Sequence, residues 1–269
     1  MIDAYHQKAQ RRARRPAASD IQRAVTVSFC LVILAGGACT NTTVDIFDPD
    51  LGLVAHWALD EAQPGSTAVD LSGFGSQGTP SANPPTPTKD VPPVHFYDPY
   101  SLAFNGTDQL VDLGNPAILN LGGPTSMAVW VRPATLDNYR NVVTHGYRWN
   151  PSYNLALRIY LGAYQFTYWD SVDHMASAPA PAGDVGAWVH LCGVFDGASY
   201  YVYRNGALVG STSDATVPAA AVSGAIWAIG GRAAQTPGNA TDFFQGQIDD
   251  VRIYGRALSG AEVEALYRR

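Results

Sequence analysis

The chain has 269 residues, 46% of them apolar and only 15% charged, which supplies a core and excludes a disordered protein. The formal net charge is −6, but the first 38 residues carry six basic and two acidic side chains and leave the rest at −10. A body this acidic excludes nucleic acid and anionic membrane surfaces as partners, and 26 Gly and 18 Pro against three Glu and two Lys exclude long solvent-facing helices.

The front of the chain reads as an export signal over residues 1–38. A basic stretch ending at Arg23 precedes the apolar run 24–35 (AVTVSFCLVILA), followed by Gly36, Gly37, Ala38 and Cys39. A helix needs ~20 apolar residues to span a bilayer, and this run is shorter. Residues 34–39 (LAGGAC) resemble a bacterial lipobox, with Gly36 standing where Leu is usual. Two main outcomes stay open: lipidation of Cys39, which would be the protein's sole membrane attachment, or ordinary cleavage and release. Either places the protein in the cell envelope or outside the cell. Residues 39–52 are polar and turn-rich and read as a tether. Cys30 and Cys39 belong to this region, so Cys192 has no partner within the domain and reads as a small buried hydrophobe.

The domain begins at 53 and runs to 269. Strands are predicted at 53–59, 101–104, 109–113, 126–132, 141–145, 155–160, 165–169, 188–195, 200–204, 207–213, 225–229 and 247–254. Asn205-Gly206 supplies the two positive-φ positions of a type I′ hairpin turn. Residues 78–99 hold seven prolines and read as a surface loop, because proline removes a ladder donor. So many short strands bury themselves as two packed antiparallel sheets or as a barrel. In 247–254 (QIDDVRIY), simple alternation puts Asp249, Val251 and Ile253 on one face. Ser259 and Glu262 then fit a capping box, and Val263, Leu266 and Tyr267 follow at helical spacing.

Four motifs in order carry a family likeness: VAHWALD (54–60) with DLSGFG (70–75); SLAFNG (101–106); WVH (188–190) with FDG (195–197) and YRNG (203–206); and IGG (229–231) with GQIDDVRIY (246–254), RALS (256–259) and 262–267. The sequence resembles the laminin-G-like jelly-roll modules of bacterial surface proteins, within the concanavalin A-like lectin/glucanase group. The resemblance implies an all-β, two-sheet antiparallel jelly-roll sandwich with a short C-terminal helix. It also implies that many relatives hold a structural Ca²⁺ between an early loop and the last strand. Asp249, with Asp70 of the glycine-rich 70–78 loop, is the matching pair here. The alternative is that Asp249 bonds to turn amides. Calcium takes 6–8 oxygens, partly from backbone carbonyls.

Hydrolysis finds no support in the residues. Retaining glycosidases need two carboxyl groups about 5 Å apart, and glucanases of the group resembled carry Glu-x-Asp-x-x-Glu on a strand. Here no Glu lies between Glu61 and Glu262, and the last two sit on the capped helix. There is no His-Glu-x-x-His, Gly-x-Ser-x-Gly or phosphate loop. Asp173-His174 reads as a loop dipeptide. The expectation is a non-catalytic binding module.

Its ligand region is predicted in the aromatic-rich stretch 139–169, where Trp149, Tyr153, Trp169 and Arg148 are the candidate binding residues. Flat rings with polar tips suit sugars and protein surfaces alike, so the expected partner is a glycan or a surface protein. Core packing of the same rings is the competing reading.

Overall fold

A computed structural model describes residues 26–29, 42–45, 47–146, 154–218, 225–233 and 240–269. The chain divides into two compact units, Met1–Gly52 and Leu53–Arg269. In the first, β1 (Thr26–Phe29) and β2 (Thr42–Asp45) form an antiparallel pair. Cys39, the lipidation candidate, lies outside the described residues. No helix among the described residues is long and apolar enough to cross a membrane.

The second unit runs through β3 (Leu53–Trp57), β4 (Thr79–Pro80), β5 (Thr86–Thr88), β6 (Ser101–Asn105), β7 (Val111–Gly114), β8 (Thr125–Pro133) and β9 (Tyr139–Gly146). There follow β10 (Asn154–Tyr160), β11 (Ala163–Trp169), β12 (Asp173–Pro179), β13 (Val189–Phe195), β14 (Ser199–Arg204) and β15 (Ala207–Ser213). It closes with β16 (Trp227–Ile229), β17 (Gln245–Tyr254) and the helix α1 (Gly260–Tyr267). Seven strands form one sheet in the order β12-β11-β10-β9-β16-β7-β4. Eight form the other, β15-β14-β13-β8-β17-β6-β5, with β3 also paired to β17. All pairings are antiparallel, and the product is the expected two-sheet sandwich with one short C-terminal helix.

Alternation along each strand makes the core. Leu155, Leu157 and Ile159 of β10 and Tyr164, Phe166 and Tyr168 of β11 face Val129, Val131, Leu191 and Val202 of the opposing sheet. A side chain at Gly193 would place its Cβ 2.2 Å from the Phe166 ring, so glycine there lets the ring seat on the β13 backbone. Asn205 (φ 49°) and Gly206 (φ 79°) form the predicted positive-φ pair between β14 and β15. The Ser259 side chain accepts from the Glu262 amide while the Glu262 carboxylate accepts from the Ser259 amide, so the predicted capping box is present. The helix lies on the outer side of the eight-stranded sheet, where Tyr267 packs 5.7 Å from Trp130 and 6.2 Å from His190.

Three sequence expectations are corrected. The proline-rich stretch is not all loop: β4 and β5 are very short strands at the sheet edges, where Pro80 and Pro87 forfeit no interior ladder bond. Asp173-His174 opens a seven-residue strand, β12. Its sequence DHMASAP has little strand propensity, and full pairing with β11 supplies the order. Finally, β17 is not regular. Its register against β8 shifts between Asp249 and Arg252, with Asp250 at φ 44°. Ile248, Val251 and Ile253 therefore face the core, and Asp249 pairs with Trp130 on the outer side.

Candidate functional site

The aromatic-rich stretch is divided between two faces by strand alternation. Tyr164 and Tyr168 are core residues, as the packing alternative required. Arg158, Tyr160, Gln165 and Trp169 point the other way, onto the outer face of the seven-stranded sheet. Cross-strand pairing aligns them: Tyr160 with Tyr139, Arg158 with Gln165 and Asn141, and Trp169 with Asn154 and Asp173.

At one end of this face the Tyr139 and Tyr160 rings stack, with centroids 4.1 Å apart and planes 29° from parallel. The Arg158 guanidinium lies 5.4 Å from each ring centre, within cation–π range. Its Nε donates to Gln165 Oε1 at 2.9 Å, and Nη2 stands 3.8 Å from Asp173 Oδ1. Gln165 in turn donates to Ser177 Oγ at 3.3 Å. Arg158 is 5% exposed. Burial lowers its pKa, against the pull of Asp173. In the same region Thr167 Oγ1 and Asn141 Oδ1 are buried without a hydrogen-bond partner. Gly231 and Asp242 lie against β9: Thr144 Oγ1 donates to the Gly231 carbonyl and the Asn141 amide to that of Asp242. The face thus carries half-buried flat rings over a buried polar layer of Arg158, Gln165, Asn141 and Thr167.

Trp169 is half-buried at the far end of this face. Arg148, Trp149 and Tyr153 lie outside the described residues. The strands that flank them end beside Trp169, since Asn154 pairs with both Gly146 and Trp169. Arg158 and the Tyr139–Tyr160 stack belong to the predicted aromatic stretch, but their convergence depends on register, which sequence periodicity does not give. A groove of about 490 Å³ at the opposite edge of the sheet is lined by Gln77, Thr79, Ser81, Asp112 and neighbours. It holds no aromatic ring and lacks a stacking platform.

A second constellation surrounds Asp249, which is fully buried. Its Oδ1 accepts from the Asp250 amide at 2.9 Å, and its Oδ2 has no partner. Asp98 touches both Asp249 and Asp60. Burial raises all three, Asp60 to about 6, Asp98 to about 7 and Asp249 well above its ordinary value; repulsion from Asp60 adds to it at Asp98 and repulsion from Asp98 at Asp249, whereas at Asp60 the hydrogen bonds from the Tyr100 amide and with Asp98 work against burial. Asp70 is not part of this group. Its carboxylate accepts from the amides of His56 (3.0 Å), Ser72 (2.9 Å) and Ser76 (2.8 Å) and shapes its own loop. Asp98 and Asp60 are thus among the carboxylates that bear on Asp249, while Asp70 is engaged by amides. Asp98 sits in the proline-rich segment, where no motif marks it. Beside them, burial alone would raise Asp250, but Arg252 and His56 hold it far below the usual range. Its Oδ1 lies 2.7 Å from His56 Nε2 and 2.9 Å from Arg252 Nη2. Among the described residues no three His, Cys, Asp or Glu side chains form a ready metal-ligand set. Asp249 Oδ2 is nonetheless an unmatched hard oxygen among carboxylates, the donor chemistry that calcium takes.

Domain 4 of AbnA, a GH43 extracellular arabinanase from Geobacillus stearothermophilus solved with arabinotriose, superposes with a TM-score of 0.61 at 21% identity. The match covers 80% of this chain and 98% of that one. The botulinum neurotoxin serotype C1 binding domain matches with a TM-score of 0.56 at 12% identity, over 81% of this chain and 52% of that one. The binding domain of botulinum neurotoxin DC, solved with rat synaptotagmin II, gives 0.56 at 11% over the same shares. The chain thus spans about half the length of the toxin domains. At these identities the likeness shows the fold. No curated protein matches the sequence. The laminin-G model described as the concanavalin A-like lectin/glucanases superfamily matches residues 105–264, more than half of the chain, and the protein belongs to that family.

Proposed function

We propose that the protein is a non-catalytic carbohydrate-binding module of the cell envelope, and that it binds glycan on the outer face of the seven-stranded sheet. The observation that carries this is the Tyr139–Tyr160 stack flanked by Arg158, on the same face as Trp169. A pyranose or furanose ring presents C–H groups to an aromatic face and hydroxyls to the surrounding polar groups. Arg158 and Gln165, each 5% exposed beside the rings, are the nearest polar groups, and Asn141 and Thr167 lie buried beneath them. The structural neighbour solved with arabinotriose supports the reading. A glycan array probed with the purified protein tests it. Binding to a defined sugar class is expected, and a blank array would remove the reading.

A protein partner is the second reading, and one observation favours it. Strand β15 ends the eight-stranded sheet uncharged, with Leu208 and Val209 exposed at 51% and 41%. A long edge strand without charge or proline is open to pairing. The toxin domain solved with synaptotagmin II shows that this fold can also be found with a protein.

The calcium and anchoring proposals stand beside this. Asp249 and Asp98, completed by backbone carbonyls, would hold a structural Ca²⁺. The ion would neutralise the clustered carboxylates. The basic-apolar-small order of residues 1–39 would direct export, with Cys39 as lipid acceptor. Metabolic fatty-acid labelling of the wild type and not of Cys39→Ala is the expected result. Equal labelling would remove the anchor.

A further inference from the structure

His174, at the start of β12, sits between two carboxylates from different parts of the fold. Its Nδ1 lies 2.7 Å from Asp214 Oδ2, and its Nε2 lies 3.0 Å from Asp170 Oδ1. Ionised carboxylates only accept hydrogen bonds, so both contacts are made only by a ring carrying protons on both nitrogens. A neutral ring, in either tautomer, leaves one carboxylate against a lone pair.

The two aspartates belong to the two sheets. Asp170 lies in the β11–β12 turn, where the Val172 amide donates to its Oδ1 at 3.3 Å and Ser171 takes φ 102°. Asp214 follows β15 of the opposite sheet. Its amide donates to the Ala198 carbonyl and its Oδ1 accepts from the Thr216 amide. Tyr200 of β14 ties the same segment down by donating to the Thr216 carbonyl at 2.6 Å. The Tyr168 ring of β11 stacks on the imidazole with centroids 5.9 Å apart. Asp173 precedes His174 and faces Arg158. The titratable and charged groups around the ring are therefore Asp170, Asp173, Asp214, Tyr168, Tyr200 and, beyond Asp173, Arg158.

The turn closed in this way carries the edge of the candidate site. Trp169 immediately precedes Asp170 and pairs with Asp173. We propose that His174, as an imidazolium, is a positioning residue that clasps the Trp169 turn to the opposite sheet at Asp214, so that glycan capture weakens when the ring loses its proton. This rests on the reading of the outer face as the glycan site.

The direction of the pH effect follows from the same contacts. Partial burial lowers the imidazole pKa, but Asp214 and Asp170 outweigh it and the net shift is upward. A folded pKa above the unfolded one gives a clasp that is complete below about pH 6.5 and is lost as pH rises through the folded value.

The test uses the full chain as wild type, His174→Gln and Asp214→Asn. Ring NMR titration should put His174 above about 6.5 in the wild type. Amide exchange in residues 169–175, corrected for intrinsic rate, should be about tenfold faster in both variants at about pH 6. The wild type should approach them at about pH 9.5. A His174 that titrates at or below the ordinary value, or equal exchange in all three proteins, overturns the clasp. Asp214→Asn keeps the test decisive if His174→Gln folds poorly. A glycan array read at both pH values separates this proposal from the one beneath it. Stronger signal at the lower pH supports regulation, and equal signal with an opened clasp overturns it. A blank array at both values overturns glycan binding and its regulation together, while the titration and exchange data still judge the clasp.

Discussion

Tyr139 and Tyr160 are cross-strand partners whose rings stack 4.1 Å apart on the outer face of the seven-stranded sheet. The pair is held from the side by Arg158, two residues before Tyr160 on the same strand and face. A stacked, laterally fixed ring pair is a platform whose shape does not change when a ligand arrives. That lowers the ordering cost of binding.

Removing the platform should therefore cost affinity without unfolding the domain. Tyr160→Ala is expected to weaken binding of an array-identified glycan by about 2 kcal/mol, roughly thirtyfold in Kd. The ring is half-buried on the outer face, so thermal stability should fall little. Titration calorimetry and a melting curve on the same sample check both halves.

Calcium should stabilise the protein if the carboxylates around Asp249 hold it. At calcium a hundredfold above Kd the gain is about 2.7 kcal/mol. For a domain of this size that raises Tm by several degrees. Asp98→Asn should abolish the calcium-dependent part of the shift. A melting curve unchanged between chelator and excess calcium would remove the ion.

Asp184 joins the two sheets through its partners. It accepts from Tyr164 Oη of β11 and from Arg204 of β14, each at 2.7 Å. Burial alone would raise its pKa, but the Arg204 and Tyr164 hydrogen bonds hold it below its ordinary value. A depressed folded pKa gives stability that is present above about pH 4 and is lost as pH falls through the folded value. Asp184→Asn should cost about 2 kcal/mol at neutral pH. The loss is less than for a wholly buried pair, because Arg204 keeps 29% of its side-chain surface exposed. The variant should also flatten the acid limb of the stability–pH curve, which denaturant titrations between about pH 3 and 7 would show.

The helix cap gives a local test. Ser259→Ala removes the acceptor for the Glu262 amide and should lower stability by ~1 kcal/mol. The Arg256–Glu262 pair should persist, because Arg256 Nη1 and Nη2 hold both Glu262 carboxylate oxygens, at 3.0 and 2.6 Å. An undiminished Tm would show that this pair suffices to seat the helix.

Much of the fold was legible because its signals are local. Apolar alternation located β8, β10, β13 and β14 to within a few residues, Asn205-Gly206 marked the hairpin, and Ser259 with Glu262 marked the helix start. Features set by distant partners were not legible. Strand β12 has a weak sequence and is ordered by β11. The bulge at Asp250 shifts Asp249 to the outer side of its sheet, where alternation had aligned it with Val251. Asp98 meets Asp249 across 150 intervening positions of sequence, and His174 meets Asp214 across two sheets. The site was half legible for the same reason. The aromatic stretch announced its rings, but only register decides which face each ring takes.

The most direct test of the central claim is where a bound glycan touches the protein. NMR shift mapping with an array-identified glycan on labelled protein is predicted to perturb Tyr139, Arg158, Tyr160, Gln165 and Trp169 together. Perturbations confined to the Gln77–Asp112 groove or to the exposed β15 edge would contradict it.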